Sequence, residues 1–149
     1  MRMLRPLIVA QAPSSRSNPR EPLSGMSGQR LAYLCDLSFP DFLASFERVN
    51  LLDAYPGKIG KGDRWDQVQA RLVAYGMTPR LRRRRTVLLG RNVARAFHLH
   101  DRAWFQWVDE IGDGALVAVA PHPSGISHFW NDLRSVRRAC WFWHTLARS

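Results

Sequence analysis

Two kinds of hydrophobic pattern alternate along the chain. Continuous apolar runs closed by polar or glycine-containing segments are typical of strands buried on both faces of a parallel sheet. Such runs predict strands at 7–10, 86–89 and 115–120, and residues 48–52 are interpreted as a further short strand that runs into a loop. Between them, apolar residues recur every three or four positions, which indicates amphipathic helices. The predicted helices are 28–36, 40–46, 63–75, 92–97 and 131–147.

The same spacing predicts which side of a helix faces the core. On the helix at 63–75, which Gly76 is expected to stop, the apolar stripe is Trp65, Val68, Leu72 and Tyr75. On the last helix the inward positions are Leu133, Val136, Cys140 and Trp143. Trp141 and Phe142 are also expected to pack in the core, because they lie within this helix. The side chains off the stripe, expected to be exposed, are Arg134, Arg137 and Arg138.

Strands that alternate with helices predict an α/β fold of the three-layer αβα type. In that fold a central parallel sheet, here of about four strands, has helices on both faces. The 149 residues fit one domain, residues 1–149, which is large enough to bury a core without disulfides.

The sequence predicts a cytoplasmic protein with no membrane partner. The apolar run that starts after Pro6 ends at Ala10, which is too short for a signal peptide or for the roughly 20 residues of a spanning helix. Cys35 and Cys140 are the only cysteines. We expect two buried thiols, and neither a disulfide framework nor a four-cysteine metal site.

The charge of the chain indicates a polyanionic partner. Lysines and arginines number 22 against 12 acidic residues, a net charge of +10, and Lys58 and Lys61 are the only lysines. Arginine suits phosphate because its planar guanidinium presents a fork of donors. DNA is therefore the expected partner. The alternative is a compositional bias of a GC-rich genome toward arginine.

Polar segments follow three of the predicted strands and begin at Gln11, Asn50 and His122. In open α/β sheets the carboxyl ends of the strands meet at one edge, and ligands bind there. The first segment, residues 11–28, is long for a loop in a compact domain, and such loops are usually functional. We therefore predict a site where these three segments converge.

Five short motifs, taken in order, resemble those of the uracil-DNA glycosylase superfamily over almost the whole chain. They are Val-Ala-Gln-Ala-Pro-Ser-Ser at 9–15, Leu-Ser-Gly-Met-Ser-Gly at 23–28, Val-Asn-Leu-Leu at 49–52, Val-Leu-Leu-Gly at 87–90 and His-Pro-Ser-Gly-Ile-Ser at 122–127. The resemblance is nearest to the microbial branches with Ala-Pro in the first motif and His-Pro-Ser in the last.

The resemblance implies a DNA glycosylase that flips out a deaminated or modified pyrimidine, uracil or a derivative, and hydrolyses its N-glycosidic bond. His122 matches the residue that stabilises negative charge on the departing base. Asn50 matches the base-reading asparagine, whose amide donates to one base atom and accepts from the next. Without the resemblance, these are a loop histidine that caps a turn and an asparagine that closes a strand. The residues implied to line the base pocket are Gln11, Ala12, Pro13 and Leu23.

Contacts to the DNA backbone are also implied by the resemblance. Ile126 matches the apolar wedge that fills the gap left by the flipped base. The rest of the last loop is expected to meet phosphates through Ser124, Gly125 and Ser127. By their position in the chain rather than by the resemblance, the arginines placed to bind phosphate near this site are Arg16 and Arg20 in the first loop and Arg134, Arg137 and Arg138 after the last loop.

Two positions depart from the family's pattern. Ala12 stands where efficient members have an Asp or Asn that positions the attacking water, so that role falls to Asn18, Glu21 or Asp53, among which the sequence does not choose. Leu23 stands where an aromatic side chain stacks on the base. Two other hypotheses therefore stay open: a DNA-binding protein of this fold that does not cut, and an enzyme that edits a modified base. For the glycosylase we expect no metal, no cofactor and a monomer.

An arginine cluster precedes the strand at 86–89. It is either a clamp on the DNA backbone or a solvated loop. Its place before a strand puts it at the amino ends of the strands, opposite the predicted site, which weakens the clamp interpretation. Its members are Arg80, Arg82, Arg83, Arg84 and Arg85.

Overall fold

The structure is a computed structural model that describes residues 4–13, 20–60, 62–63, 65–124 and 128–149. The strands are β1 (Leu7–Ala10), β2 (Glu47–Asn50), β3 (Lys58–Ile59), β4 (Gly62–Asp63), β5 (Arg85–Leu89) and β6 (Leu116–Ala120). The helices are α1 (Met26–Cys35), α2 (Phe39–Ser45), α3 (Gln67–Met77), α4 (Gly90–Ala96) and α5 (Leu133–Ala147). Two short 3-10 helices are Thr78–Leu81 and His128–Asn131. Over these described ranges, no helix has the length and apolar character needed to cross a membrane.

Four strands form one parallel sheet in the order β2-β1-β5-β6. Val9 of β1 pairs with Val49 of β2 on one side and with Leu88 of β5 on the other, and Val87 pairs with Ala118 of β6. β3 and β4 form a separate antiparallel hairpin. The predicted α/β fold with four central parallel strands is confirmed, and each of these strands lies within two residues of its predicted ends.

Helices cover both faces of the sheet. On one face α3 and α4 pack through small side chains such as Ala70 and Ala94. On the other face α1, α2 and α5 pack through larger ones, including Phe42 and Trp143. The connection from β1 to β2 runs over the α1 face and the connection from β2 to β5 over the α3 face, so the strand order reverses between β1 and β5. Open α/β sheets bind ligands at this reversal, beyond the carboxyl ends of the strands.

Trp65, just before α3, packs against the core as predicted, but the rest of the predicted inward stripe is wrong. Its side chains Val68, Leu72 and Tyr75 are exposed, and the buried ones are Ala70, Ala74 and Met77. Small side chains let the helix lie close to the sheet, so the alanines take the inner face and the larger apolar residues turn outward. The helix also begins later than predicted, at the N-cap Asp66, whose side chain accepts from Gln69 N at 3.1 Å, and it continues through Gly76.

The predicted inward face of α5 is correct in part. Trp143 and Phe142 are buried, but Leu133 is exposed and Trp141 is 73% exposed, so the prediction that Trp141 packs in the core is wrong. The core side of the helix is an aromatic cluster, in which the ring of Phe142 lies 4.9 Å from that of Phe105 and 5.5 Å from that of Trp107. These large rings set the rotation of the helix and leave Trp141 on the outside.

Only one of the two cysteines is fully buried. Cys35 lies in the core between α1 and α5, and burial raises the pKa of its thiol to about 12. Cys140 is half buried, and both are free thiols. A thiol with so high a pKa stays protonated at neutral pH, so Cys35 acts as a small core residue.

The segment before β6 folds back along the outer edge of that strand. Val108 exchanges two main-chain hydrogen bonds with Val117, at 2.8 and 2.9 Å, and Phe105 N donates to Val119 O at 2.8 Å. These bonds use donors and acceptors that an uncovered edge strand would present to solvent.

The arginine cluster lies at the amino ends of the strands, as its sequence position predicts. Arg84 is buried, and it donates to Glu47 Oε2 at 2.8 Å and to the carbonyl of Arg5. Arg80 pairs with the other carboxylate oxygen of Glu47. These bonds join β2, β5 and the residues before β1. Hydrogen bonds from Arg84 and Arg80 hold the pKa of Glu47 below its usual range.

Candidate functional site

The carboxyl ends of all four main strands meet at one edge of the sheet. β1 ends at Ala10 and β2 at Asn50, and these two residues pair. Beyond the strands, Leu51 N donates to Ala10 O at 2.8 Å and Leu52 N to Gln11 O at 3.0 Å. The segments that leave β1 and β2 therefore stay side by side, and Gln11 is held beside the end of β2.

His122 follows β6 by two residues, and its ring is oriented by the loop that carries it. The main-chain N–H of Ser124 donates to Nδ1 of His122 at 3.1 Å. A ring nitrogen that accepts a hydrogen bond carries no proton, so in this geometry the neutral imidazole has its hydrogen on Nε2. His122 therefore presents Nε2–H as its donor. The side chain is half buried.

Two side chains from outside the loop fix its main chain. Trp130 Nε1 donates to the carbonyl of His122 at 2.9 Å, and Arg30 of α1 donates to the carbonyl of Pro123 at 2.6 Å. These bonds hold the main chain at His122 and Pro123, so the orientation of His122 is set before any ligand arrives.

The segment after β5 lies beside this loop. Gly90 has a φ of 86°, and a Cβ atom there would be 3.5 Å from the Cβ of His122. Glycine adopts this left-handed conformation without strain. The chain can therefore turn at once from β5 into α4, and the turn passes directly beside His122.

Asn92, in the first turn of α4, joins the site although the sequence analysis did not select it. Its Nδ2 lies 3.5 Å from Oε1 of Gln11, at the long limit of a hydrogen bond. Both side chains are half buried. The signal for it is its position, three residues after the end of β5, the strand that pairs with β1. Helical periodicity places residue 92 at the start of a helix, and a helix that begins at the edge itself also carries side chains into the site.

His122 and Asn50 lie at opposite sides of the edge. They follow β6 and end β2, the two outermost strands, so three strand spacings of roughly 4.8 Å, about 14 Å in all, separate the strand ends that carry them. Between them lie Gln11, which follows β1, and Asn92, in the first turn of the helix that follows β5. The edge is therefore a row of polar side chains, in the order Asn50, Gln11, Asn92 and His122.

Asp53 lies apart from this row. It is exposed and belongs to a separate cavity of about 240 Å³ between the segment after β2 and the start of α3. The residues that line the cavity are Leu52, Asp53, Ala54, Tyr55, Pro56, Asp66 and Gln69. Asp53 is thus separate from Asn50 and His122, neither of which lines this cavity.

The start and the end of the first loop pack on opposite faces of the sheet. Ala12 packs against the core under α3 and α4, and Leu23 packs against the core under α1 and α5. Pro13 is buried. Arg48 of β2 donates from Nη1 to the carbonyl of Pro22 at 2.6 Å. The described ends of the loop are therefore fixed to the sheet.

Several residues of the sequence analysis fall outside the described residues or on the surface. Those that lie outside are Arg16, Asn18, Gly125, Ile126 and Ser127. Glu21, Arg20 and Arg134 are exposed, and Arg134 lies in the first turn of α5 as expected. Where the structure describes the chain, no group of three or more His, Cys, Asp or Glu residues is placed to hold a metal ion.

Comparison with known proteins assigns no family to the chain. No protein-family profile matches it, and no curated protein matches it significantly. The fold defines the class of the protein. It is an α/β protein with a four-stranded parallel sheet in the order β2-β1-β5-β6 and a row of polar side chains along the carboxyl edge of that sheet.

Proposed function

We propose that the protein is a DNA glycosylase that removes a flipped-out deaminated or modified pyrimidine, uracil or a derivative, by hydrolysis of the N-glycosidic bond. The observation that supports this most is the hydrogen bond from Ser124 N to His122 Nδ1, because it places the hydrogen of the neutral ring on Nε2, at the carboxyl edge of the sheet. The net charge of +10 suits a DNA partner. The protein would act as a monomer in the cytoplasm, on chromosomal DNA or on phage DNA during infection.

The proposed reaction breaks the bond between N1 of the pyrimidine and C1′ of the sugar. The electron pair of that bond leaves with the base and spreads onto its O2 atom. His122 Nε2–H donates to O2 as this charge develops, and a donor fixed in advance lowers the barrier without reorganising during the reaction. Water adds its hydroxyl to C1′, and its remaining proton goes to the base. The products are a free base and an abasic sugar.

Base recognition would fall to the other side of the edge. Asn50 reads the base with one donor and one acceptor, which distinguishes uracil from cytosine because their groups at ring position 4 have opposite hydrogen-bonding character. Gln11 and Asn92 line the space between Asn50 and His122 and add amide groups. The base enters this space by flipping from the helix. The residue that orients water stays open among Asn18, Glu21 and Asp53. The structure describes Glu21 and Asp53, and Asp53 is the weaker candidate of these two because it lies in a separate cavity.

One observation favours a second candidate, a protein that binds a base in DNA without cutting. Ala12 has no polar group and packs against the core under α3 and α4, so the first loop offers no carboxylate or amide at that position to hold water. Without an activated water the fold retains DNA binding and base recognition. The third hypothesis, an enzyme that edits a modified base by other chemistry, is motivated by the same absence of a polar side chain at Ala12.

The deciding experiment is mass spectrometry of bases released from DNA. Oligonucleotides would carry uracil, hydroxymethyluracil or another modified pyrimidine, or one of the deaminated purines hypoxanthine and xanthine, in single and double strands. We expect wild type to release one base and His122→Ala to release it at least about a hundredfold more slowly. His100→Ala, an exposed histidine in a turn, is the matched control and should keep the wild-type rate.

Two results would count against the proposal. Release of no base by wild type, together with tight, salt-dependent binding, would leave the binding protein as the function. Equal rates for wild type and His122→Ala would show that His122 takes no part in the reaction. The position of His122 at the edge of the sheet would then no longer support the proposal.

A further inference from the structure

Two exposed aromatic side chains flank a groove between α1 and α5. Tyr33 of α1 is 79% exposed and Trp141 of α5 is 73% exposed. The groove has a volume of about 390 Å³, and the residues that line it are Tyr33, Leu34, Asp36, Cys140, Trp141 and His144. Tryptophan is highly buried on average in folded proteins, so an outward Trp141 beside an open groove indicates a surface that meets a ligand.

A basic stripe leads along α5 to this groove. Arg134, Arg137 and Arg138 are exposed and precede Trp141 by seven, four and three residues, the spacings that put side chains on one face of a helix. Within the part of the chain that the structure describes, no carboxylate forms an ion pair with any of the three. Arg138 donates to the carbonyl of Trp104 at 3.3 Å, while Arg134 and Arg137 extend from the outer face. The stripe is therefore positive and unneutralised.

The walls of the groove are firmly connected. Arg148, just after α5, donates to the carbonyl of Cys35 at 2.8 Å and to that of Asp36 at 3.3 Å, at the end of α1. Both helices pack on the same core, through Leu31 and Trp143 among others. The groove is distinct from the polar row at the carboxyl edge, since it is formed by the last turn of α1, which runs away from that edge, and by the outer face of α5.

We propose that this groove and the basic stripe bind single-stranded nucleic acid. Bases stack on Trp141 and Tyr33, and Arg134 and Arg137 meet the phosphates. Asp36, at the rim, accepts from an amino group of a base. Exposed aromatics combined with a basic track are the means by which proteins hold single strands without sequence preference. A base stacks because every base has a flat π-face, whereas in a duplex those faces are covered by neighbouring base pairs.

This binding does not depend on any chemistry at the sheet edge, so its test uses DNA without lesions. A fluorescent oligothymidine of about a dozen nucleotides, a length within the site sizes of single-strand binding proteins, would be titrated at low salt and followed by anisotropy. We expect Trp141→Ala to weaken binding by about tenfold. Tyr75→Ala, which removes an exposed aromatic from α3 on the other face of the sheet, should bind as wild type does. Circular dichroism would check that each variant is folded.

The basic stripe is tested with a charge-matched pair of variants. Arg134→Ala with Arg137→Ala should reduce the slope of log affinity against log salt by about 1.4, since each single-strand phosphate contact contributes about 0.7. Arg71→Ala with Arg95→Ala removes the same charge from exposed positions on α3 and α4 and should leave the slope nearly unchanged. Equal losses in the two pairs would mean that only net charge matters, which would overturn the proposal.

Other occupants of the groove give different results. If polyglutamate competes as well as unlabelled oligothymidine, the surface binds acidic protein segments and the proposal fails. The proposal also fails if a duplex binds as tightly as the single strand and Trp141→Ala changes neither affinity. Oligothymidine carries no lesion and base release is a separate measurement, so failure of the glycosylase proposal and failure of this one are separately visible.

Discussion

The main-chain carbonyl of Leu23 occupies the space that a side chain on Gly28 would need. Leu23 has a φ of 58°, in the left-handed region, and this conformation directs the end of the first loop against α1. Because the approach is between main-chain atoms, no side-chain rotation can make room. Gly28 thus determines how the first loop joins the helix that follows it.

We expect Gly28→Ala to lower the free energy of unfolding by about 3 kcal/mol, since the loop must shift to admit the methyl group. Gly76→Ala is the matched control. Gly76 lies in α3 with open space where a Cβ would be, so alanine there should raise stability by about 0.5 to 1 kcal/mol through its helix propensity. Urea unfolding measures both. Similar small effects at the two positions would contradict the close approach.

The tautomer of His122 is expected to depend on the main chain of Ser124. Ser124→Pro removes the N–H that donates to Nδ1, whereas Ser124→Ala keeps it. Nitrogen-15 chemical shifts of the His122 ring should indicate a hydrogen on Nε2 in wild type and Ser124→Ala, and a mixture of tautomers in Ser124→Pro. The rate of base release at saturating DNA should fall far more in Ser124→Pro than in Ser124→Ala, which loses only the hydroxyl expected to meet a phosphate. A mixture already present in wild type would show that this hydrogen bond does not set the ring.

Glu47 should make stability depend on acid pH. Its pKa is lowered from the usual 4.5 by the hydrogen bonds from Arg84 and Arg80. The stabilisation is therefore fully present above the unfolded pKa and is lost as pH falls through the lower folded value. Urea unfolding from pH 7 to pH 3 should show wild type more stable than Glu47→Gln at neutral pH and the difference shrinking below about pH 4.5. A difference that is constant with pH would contradict the prediction.

The two faces of α3 should respond oppositely to substitution. Leu72→Gln, on the exposed face, should change the free energy of unfolding by less than about 0.5 kcal/mol. Ala74→Leu, on the buried face, should lower it by about 1 to 3 kcal/mol, because added methylenes have no room against the sheet. Thermal unfolding of the two variants decides between the structure and the apolar stripe that the sequence indicates. The reverse order of effects would mean that α3 is turned over.

The strands β1, β5 and β6 were predictable because most of their residues are buried on both faces, whereas β2 is half buried. A run such as Leu7–Ala10 is continuous and apolar, and it permits only one placement in an α/β sheet. Helix rotation was harder, because the hydrophobic pattern ranks Leu72 above Ala74 while close packing on a sheet favours the smaller side chain. The rotation of α5 depended on Phe105 and Trp107, which come from a distant irregular segment that the periodicity of the helix does not reveal.

The candidate site was partly predictable for a similar reason. Gln11, Asn50 and His122 follow strands, and a parallel sheet brings strand ends together whatever the loops contain. Asn92 was missed because the turn at Gly90 takes no residues between strand and helix. The distance between the strand ends that carry Asn50 and His122 depends on the order of the strands in the sheet. The spacing of the motifs along the sequence does not give that order.

The central position of β1 also affects how the chain folds. Leu7 pairs with Glu47 on one side and with Thr86 on the other, so the innermost strand is completed only by partners that come much later in the chain. Pairing over such separations slows folding. During synthesis Ile8 and Val9 leave the ribosome long before β5 exists, and we expect this strand to be the part of the nascent protein that chaperones protect from aggregation.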